Sequence, residues 1–318
     1  EIILRPNQFC NLTEVVCKPM DNRNSLARKV RIATLLGTIQ STLTNFGYLR
    51  KRWVTNTEEE RLLGVSLTGI MDCKLLHSSP VKLEYSAKVP YLQDTLEYLR
   101  SVAVSTNKKW AEKLGIPQST AITCIKPSGT VSQLVDSASG IHTRHSPYYI
   151  RTVRADNRDP ITMFMKEHGI PNEPDVMNMD HTTVFSFPIK SDLKSKFRND
   201  LNAIQQLEMW KIYAEHWCEH KPSVTISVKE SEWVQVGSWC WENFDYLSGV
   251  SFLPYSDHTY KQAPYQEITR EEYSKAKEAM PKKDIDWTLL TEFEKEDNTT
   301  GSQELACTAG VCELVDLT

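Results

Sequence analysis

Three cysteines stand where thiol chemistry is the simplest explanation for them. Cys307 and Cys312 have four residues between them, in a tail of small and acidic residues that has no room for a core. Cys10 lies near the other end of the chain, directly after a strand-like apolar run. A thiolate attacks a disulfide only if it can reach it. We therefore expect Cys10 to be a buried redox cysteine that a mobile C-terminal pair re-reduces.

A zinc site is the alternative for the tail pair. Structural zinc takes about four ligands, usually in paired cysteine units with histidine nearby. The nearest histidine in the sequence is His258, so thiol exchange is preferred and no metal site is predicted. Cys10 could equally be a small buried hydrophobe, which is the commonest fate of a free cysteine. The other cysteines are assigned to that fate: Cys17, Cys73, Cys124, Cys218 and Cys240.

A possible phosphate-binding turn is the second chemical feature. Lys126-Pro127-Ser128-Gly129-Thr130 follows a predicted strand. Its small residues let backbone N–H groups approach an anion, and its hydroxyls can add hydrogen bonds to phosphate oxygens. The Gly-Lys-Ser/Thr ending of a Walker motif is absent, and a tight structural connection is the alternative interpretation.

Composition limits the class of protein. The chain has 318 residues, of which 40% are hydrophobic and 25% charged, as in globular proteins. The net charge of -4, without blocks of like charge, gives no electrostatic footprint for nucleic acid. No apolar run approaches the roughly 18 residues that a membrane span requires. Eight cysteines are too sparse for a secreted disulfide scaffold, so we expect a cytoplasmic protein.

Strand and helix patterns alternate along most of the chain. Helices are predicted at 26–46, 90–115, 160–169, 201–217, 233–244 and 269–280. Strands are predicted on both sides of a turn at residues 6–7, and at 62–70, 121–125, 148–153, 184–189, 223–228 and 249–253, with 50–61 as a polar linker. This alternation predicts an α/β fold with some parallel pairing, either an open sheet or a barrel, with its sites at strand ends.

Seven stretches together carry a family resemblance. They are Glu1-Ile2, Cys10-Asn11-Leu12-Thr13-Glu14, the Lys-Pro-Ser-Gly-Thr turn, Tyr148-Tyr149-Ile150-Arg151, residues 222–228, residues 248–254 and the CxxxxC tail. In this order they resemble the C-terminal part of the adenosylcobalamin-dependent (class II) ribonucleotide reductases. The resemblance covers nearly the whole chain but only part of that enzyme.

The resemblance implies a fold, a cofactor and a domain division. Residues 1–290 would supply the later strands of a ten-stranded α/β barrel, and residues 291–318 would form a flexible redox-active tail. The implied cofactor is adenosylcobalamin, and the implied substrates are ribonucleoside di- or triphosphates, which are reduced to deoxyribonucleotides by radical chemistry.

The resemblance also implies residue roles. Glu1 would be the general base on the ribose 3′-hydroxyl. Cys10 would be one of two cysteines that reduce the substrate radical and become a disulfide. Cys307 and Cys312 would re-reduce that disulfide and be reset by thioredoxin or a similar dithiol. Residues 127–130 would hold the substrate phosphates.

One departure from the family pattern concerns the start of the chain. The family's catalytic loop is Asn-x-Cys-x-Glu, and its glutamate aligns with Glu1, so the thiyl-radical cysteine would lie before residue 1. We therefore expect a fragment, a processed product or one piece of a split protein, with a missing N-terminal half as its partner. The alternative is a non-catalytic dithiol or zinc-binding module derived from that family.

Overall fold

The structure, a computed structural model, describes residues 1–77, 91–255 and 260–295. The chain divides into two compact units. The first consists of Glu1–Arg144 and Asp192–Ser256, and the second of His145–Ser191 and Asp257–Thr318. The second unit therefore interrupts the first in sequence.

Eight strands and eight α-helices alternate through the described residues. In chain order they are β1 (Asn11–Val16), α1 (Arg23–Gln40), α2 (Lys51–Glu60), β2 (Leu63–Thr68), α3 (Leu92–Leu114), α4 (Val131–Leu134), β3 (Tyr148–Asp156), α5 (Pro160–Glu167), β4 (Asn172–Pro174), β5 (Thr182–Lys190), α6 (Ala203–His216), β6 (Val224–Val228), α7 (Trp233–Glu242), β7 (Val250–Pro254), β8 (Tyr265–Glu267) and α8 (Arg270–Glu278). The predicted mixed α/β class is confirmed. None of the helices in these described ranges is long and apolar enough to cross a membrane.

Parallel pairing organises the first unit. β1 pairs with β2, and β6 pairs with β7, both in parallel. Two single parallel bridges, Val65 to Thr123 and Ile125 to Pro222, connect these ladders through residues 121–125. Five chain segments therefore run parallel in the order β1, β2, 121–125, β6, β7, which confirms the predicted parallel pairing.

Residues 121–125 form isolated bridges instead of the predicted strand. The Ile122 N–H donates to the Glu219 carboxylate at 2.9 Å, and the Thr123 carbonyl accepts from the N–H groups of Glu219 and His220. These hydrogen bonds take the place of some of the backbone hydrogen bonds that a continuous β-strand would make to its neighbours. They nevertheless fix the segment firmly, because the indole N–H of Trp217 also donates to the Cys124 carbonyl at 2.9 Å.

Helices cover this parallel array and bury its core. α1 packs on β1, β2 and α3, and α6 packs on β6 and α3. The largest fully buried side chains include Trp210, Tyr213 and Trp217, on or directly after α6. Buried indole groups need a hydrogen-bond acceptor, and that of Trp210 donates to the Pro222 carbonyl at 2.9 Å.

Antiparallel pairing distinguishes the second unit. Its four strands lie in the order β4-β5-β3-β8, with all neighbours antiparallel. A small apolar cluster of Phe164, Met165, Ile170 and Phe185 packs between α5 and the sheet. Asp159 caps α5 and Pro160 follows at its first position, as the sequence predicts.

Several element boundaries differ from the sequence prediction. α1 ends at Gln40 rather than near 46, because the chain turns at residues 41–42, which leaves Leu43 exposed and packs Phe46 on Phe9. The predicted linker at 50–61 is the helix α2, which buries only Thr57 and so lacks an apolar stripe. Residues 1–5 form no strand, since their backbone groups bond to side chains and to Lys221.

Two predictions about the fold, the ten-stranded barrel and the division at residue 290, are not confirmed by the described residues. The described strands number eight and lie in three small sheets, so a ten-stranded barrel is not seen in this part of the chain. The division at residue 290 stays a prediction, because residues 296–318 lie outside the described ranges.

Candidate active site

The predicted site residues fall into two groups. Glu1, Cys10 and the turn at 126–130 all belong to the first unit. Cys307 and Cys312 lie outside the described residues. The structure therefore bears on the proposed reaction centre and leaves the tail dithiol as a prediction.

Cys10 is a half-buried free thiol directly before β1. Burial raises its pKa to about 12, the Asn11 N–H opposes this rise, the Glu1 carboxylate adds to it and the Lys126 ammonium opposes it. Glu1 and Lys126 thus both act on this sulfur. At neutral pH the group is a protonated S–H rather than a thiolate, which separates it from cysteines that act as nucleophiles.

The backbone around Glu1 is held by the loop after α6. The Lys221 N–H donates to the Glu1 carbonyl at 3.1 Å, and the Ile3 N–H donates to His220 Nδ1 at 3.3 Å. His220 Nε2 donates to the Leu63 carbonyl on β2 at 2.8 Å. His220 therefore connects the Glu1 segment to the strand beside Cys10.

A second thiol lies in this site. Cys124 is fully buried, and burial, followed by the charges of Cys10 and Glu1, raises its pKa well above the usual value. At Gly64 a Cβ would lie 2.3 Å from Leu12 Cδ2 and 3.4 Å from the Cys124 sulfur. Because Gly64 has no Cβ, the side chains of Leu12 and Cys124 can both pack against the backbone of β2 at this position. The burial of Cys124 agrees with the predicted core cysteine, whereas the residue pattern does not show its place beside Cys10.

The turn at 126–130 is anchored from behind. The Lys126 N–H donates to Ser66 Oγ at 2.9 Å, and Ser139 Oγ donates to the Pro127 carbonyl at 2.8 Å. Gly140, with φ of 55°, approaches so closely that a Cβ there would lie 2.3 Å from the Lys126 carbonyl oxygen. Any other residue at 140 would push the turn away.

The four predicted phosphate-binding residues differ in exposure. Ser128 adopts a left-handed backbone with φ of 55° and is only 8% exposed. Pro127, Gly129 and Thr130 are exposed, and no atom would lie within 4 Å of a Cβ at Gly129. The turn thus keeps an open outer side, as an anion site would need.

Glu14 is a charged neighbour of this turn that the sequence reading missed. It lies on β1 opposite Ser66 of β2. Burial raises its pKa, and the Ser128 hydroxyl and the Lys126 ammonium oppose that rise. Lys126 therefore acts on both Cys10 and Glu14. The candidate site therefore extends from Cys10, directly before β1, to Glu14 on β1 and to the turn that carries Ser128.

A buried ion pair fixes the segment that supports the turn. Asp72 accepts from Arg144 Nε at 3.0 Å, from the Ala138 N–H at 2.7 Å and from Ser195 Oγ at 2.6 Å. Arg144 also donates to Asp136 at 2.9 Å. Breaking a buried pair of this kind is costly, so the pair gives residues 136–144 a fixed shape. Within the described ranges, no group of three or more His, Cys, Asp or Glu residues could hold a metal ion.

His220 should make stability depend on pH. Burial lowers its pKa against the opposing effect of the Leu63 and Ala121 carbonyls. Its folded pKa is below its unfolded pKa, so the unfolded chain binds the proton first on acidification. Stability is therefore full above about pH 6.5 and is lost as pH falls below it, by at most about 1.4 kcal/mol per pH unit for this proton. His220→Gln, which keeps one donor and one acceptor, should flatten the fall of the urea midpoint between pH 6.5 and 5.5.

The matched control for this experiment is His181→Gln, a change at an exposed histidine directly before β5. It should leave the pH dependence close to that of the unaltered chain. An unchanged pH slope in His220→Gln would contradict the neutral, bridging state of His220.

Comparison with known proteins places the chain near one group of enzymes. A scan against protein families finds no match. The "Adenosylcobalamin-dependent ribonucleoside-triphosphate reductase" of Lactobacillus gasseri is 27% identical over 296 residues, covering 87% of this chain and 39% of the relative. The corresponding Lactobacillus acidophilus protein is 23% identical over 99% of this chain and 44% of its own length. A Dictyostelium discoideum protein with the same description, qualified as probable, is 35% identical over 175 residues, 53% of this chain and 23% of the relative.

A solved structure matches the fold. The crystal structure of a B-12 dependent (class II) ribonucleotide reductase aligns with a TM-score of 0.74 and 23% identity over 92% of this chain and 43% of that chain. The chain is thus similar to the group that its motifs indicate, which confirms the resemblance. It spans 39% and 44% of the length of the two Lactobacillus relatives.

Proposed function

We propose that this chain is the later part of the catalytic barrel of an adenosylcobalamin-dependent ribonucleotide reductase. Its substrates would be ribonucleoside di- or triphosphates. The observation that carries the proposal is that the Glu1 carboxylate and the Lys126 ammonium both act on a protonated Cys10, next to an anchored turn with an open outer side. The relatives by sequence and the matching fold support it.

The proposed barrel would be completed from outside these residues. The five parallel segments of the first unit would be later strands of a ten-stranded barrel, with β1 and β7 as the outer strands of the present array. An N-terminal half would add the other strands, the Asn-x-Cys segment before Glu1 and the second cysteine of the reducing pair. A strand edge without a partner favours such pairing.

The proposed chemistry assigns one task to each residue. The Glu1 carboxylate takes the 3′-hydroxyl proton, and residues 127–130 hold the phosphates. The 2′-hydroxyl leaves as water, and a hydrogen takes its place at C2′. Cys10 and its partner supply the two electrons and two protons that this replacement needs, and they become a disulfide. The tail dithiol Cys307–Cys312 returns Cys10 to a thiol by exchange and is itself reduced by thioredoxin or a similar dithiol.

Adenosylcobalamin, when bound, would supply the radical that starts the reaction. The structure is relevant to radical chemistry because it determines whether the Cys10 sulfur is protonated. A radical takes a hydrogen atom from an S–H group, and the high pKa of Cys10 keeps that group protonated. The thiol therefore fits radical chemistry better than thiolate chemistry. The described residues contain none that we assign to holding the corrin ring.

The tail cysteines should matter for one reductant and not for another. Cys307→Ser should slow turnover driven by thioredoxin far more than turnover driven by a small dithiol, because the small dithiol reaches the Cys10 disulfide directly. The measurement is deoxyribonucleotide formation with each reductant in turn. Ser302→Ala, a tail change that keeps both thiols, should behave like the unaltered chain. Equal losses with both reductants would contradict the shuttle role.

An anaerobic assay tests the proposed function. Ribonucleotide, adenosylcobalamin and a dithiol are combined with this chain alone, and then with the chain plus an upstream polypeptide that ends in Asn-x-Cys. We expect deoxyribonucleotide only in the mixture. Absence of product in the mixture, with the cofactor shown to bind, would refute the proposal.

A further inference from the structure

An unsatisfied pair of oxygen atoms lies beside the proposed phosphate turn. Glu14 is on β1 and Ser128 is in the turn, and the Ser128 hydroxyl acts on the Glu14 carboxylate. The two groups are near neighbours, but their geometry is not that of a hydrogen bond: Glu14 Oε1 and Ser128 Oγ are both buried and have no hydrogen-bond partner within the described residues. Buried polar atoms are almost always satisfied, so two unsatisfied oxygens side by side need an explanation, and a bound ion is one that fits oxygen ligands.

The surrounding backbone holds these two atoms in place. Glu14 is opposite Ser66 in the β1–β2 ladder, and Ser66 Oγ accepts from the Lys126 N–H at 2.9 Å. The strand that carries Glu14 is thus linked through Ser66 to the start of the turn that carries Ser128. Ser128 is 8% exposed and the Ser132 N–H bonds to its carbonyl at 3.2 Å. The pair is part of a built site rather than a chance meeting of mobile surface groups.

Negative charge would exceed positive charge among the described groups of this site once a nucleotide is bound. A nucleoside di- or triphosphate brings at least two negative charges to the turn, and Glu14 adds another. Lys126 is the cation that acts on Glu14, and it also acts on Cys10. An ionised carboxylate next to phosphate oxygens is stabilised by a bridging cation. Magnesium in proteins is typically bound in this way, by one or two carboxylates together with substrate phosphates, and a serine hydroxyl is a common additional ligand.

We infer that the Glu14 carboxylate and the Ser128 hydroxyl bind a divalent cation, magnesium in the cell, that bridges to the phosphates of the bound nucleotide. This inference rests on the proposed function, because the nucleotide supplies the remaining oxygen ligands. Two protein ligands suffice for such a site.

Nucleotide binding with and without the cation tests this inference. Equilibrium dialysis of radiolabelled CTP against the chain together with its upstream polypeptide is carried out in EDTA and in excess Mg²⁺. The unaltered chain should bind CTP about 10-fold more tightly in Mg²⁺, a coupling in the usual range between linked ligands. Glu14→Gln should lose that gain, and Ser128→Ala should reduce it. Glu112→Gln, on the exposed side of α3, should keep it in full.

Three outcomes would overturn the inference. If Glu14→Gln keeps the full gain from Mg²⁺, the cation is held by the nucleotide alone. If the unaltered chain gains nothing from Mg²⁺ and Glu14→Gln binds CTP at least as well, the carboxyl acts as a protonated hydrogen-bond donor. In both cases the proposed function stands. If the unaltered chain binds no CTP under either condition, the proposed substrate site fails, and the inference fails with it.

Discussion

Replacing Cys10 with serine should eliminate deoxyribonucleotide formation while leaving the fold intact. A serine hydroxyl is similar in size, so the half-buried position before β1 should tolerate it. It cannot form a disulfide, and its O–H group does not replace S–H as a reductant. Both the electron supply and the exchange with the tail would therefore stop. The measurement is product formation per active site, in the mixture with the upstream polypeptide.

The matched control is Cys240→Ser. Cys240 lies on α7, is half-buried and is outside the candidate site. It should retain activity close to that of the unaltered chain. Multiple turnovers by Cys10→Ser with any reductant would contradict the role assigned to Cys10.

Glu1→Gln should lower kcat by about 10²–10⁴-fold, the usual contribution of a general base. Glutamine keeps the size of the side chain and accepts hydrogen bonds, but it cannot take the 3′-hydroxyl proton. The segment should stay in place, because Lys221 binds the backbone carbonyl of Glu1 and His220 binds the Ile3 N–H. The KM for the nucleotide should change little, since the phosphates bind at residues 127–130.

Steady-state kinetics at saturating nucleotide measures this effect. Glu112→Gln serves as the control, since that side chain is exposed on α3. A raised KM with an unchanged kcat would show that Glu1 binds substrate rather than acting as a base.

The sequence pattern was most informative where chemistry depends on residue type. Cys10 and the turn at 126–130 could be singled out because a thiol and a small-residue turn after a strand are visible without coordinates. The structure places Cys10 and Lys126 close enough to act on one another. The parallel pairing also followed from the alternation of strand and helix periods.

Cys124, Glu14 and His220 were missed for a common reason. Each gains its place from a neighbouring segment that is distant in sequence: Cys124 over Gly64, Glu14 beside Ser128, and His220 between Ile3 and Leu63. A residue pattern shows which face of a strand a side chain occupies, but not which strand lies next to it. His220 bonds only to backbone groups, and such contacts leave no signature in the residue types.

α2 shows the corresponding limit for helices. Its sequence, Lys51–Glu60, buries one residue and therefore has no apolar period to detect. It is held by polar contacts, such as those from Arg5 to Glu59 and from Gln8 to Glu60, and by the packing of Trp53 on Phe9.

A single-turnover experiment tests the central claim most directly. The chain and its upstream polypeptide are fully reduced, freed of external reductant and mixed anaerobically with ribonucleotide and adenosylcobalamin, and the tail is removed from reaction by Cys307→Ser and Cys312→Ser. Deoxyribonucleotide is then counted, and the state of each cysteine is read by alkylation and mass spectrometry. We expect one deoxyribonucleotide for each Cys10 that loses its free thiol. Product formed while Cys10 remains a free thiol would contradict the account.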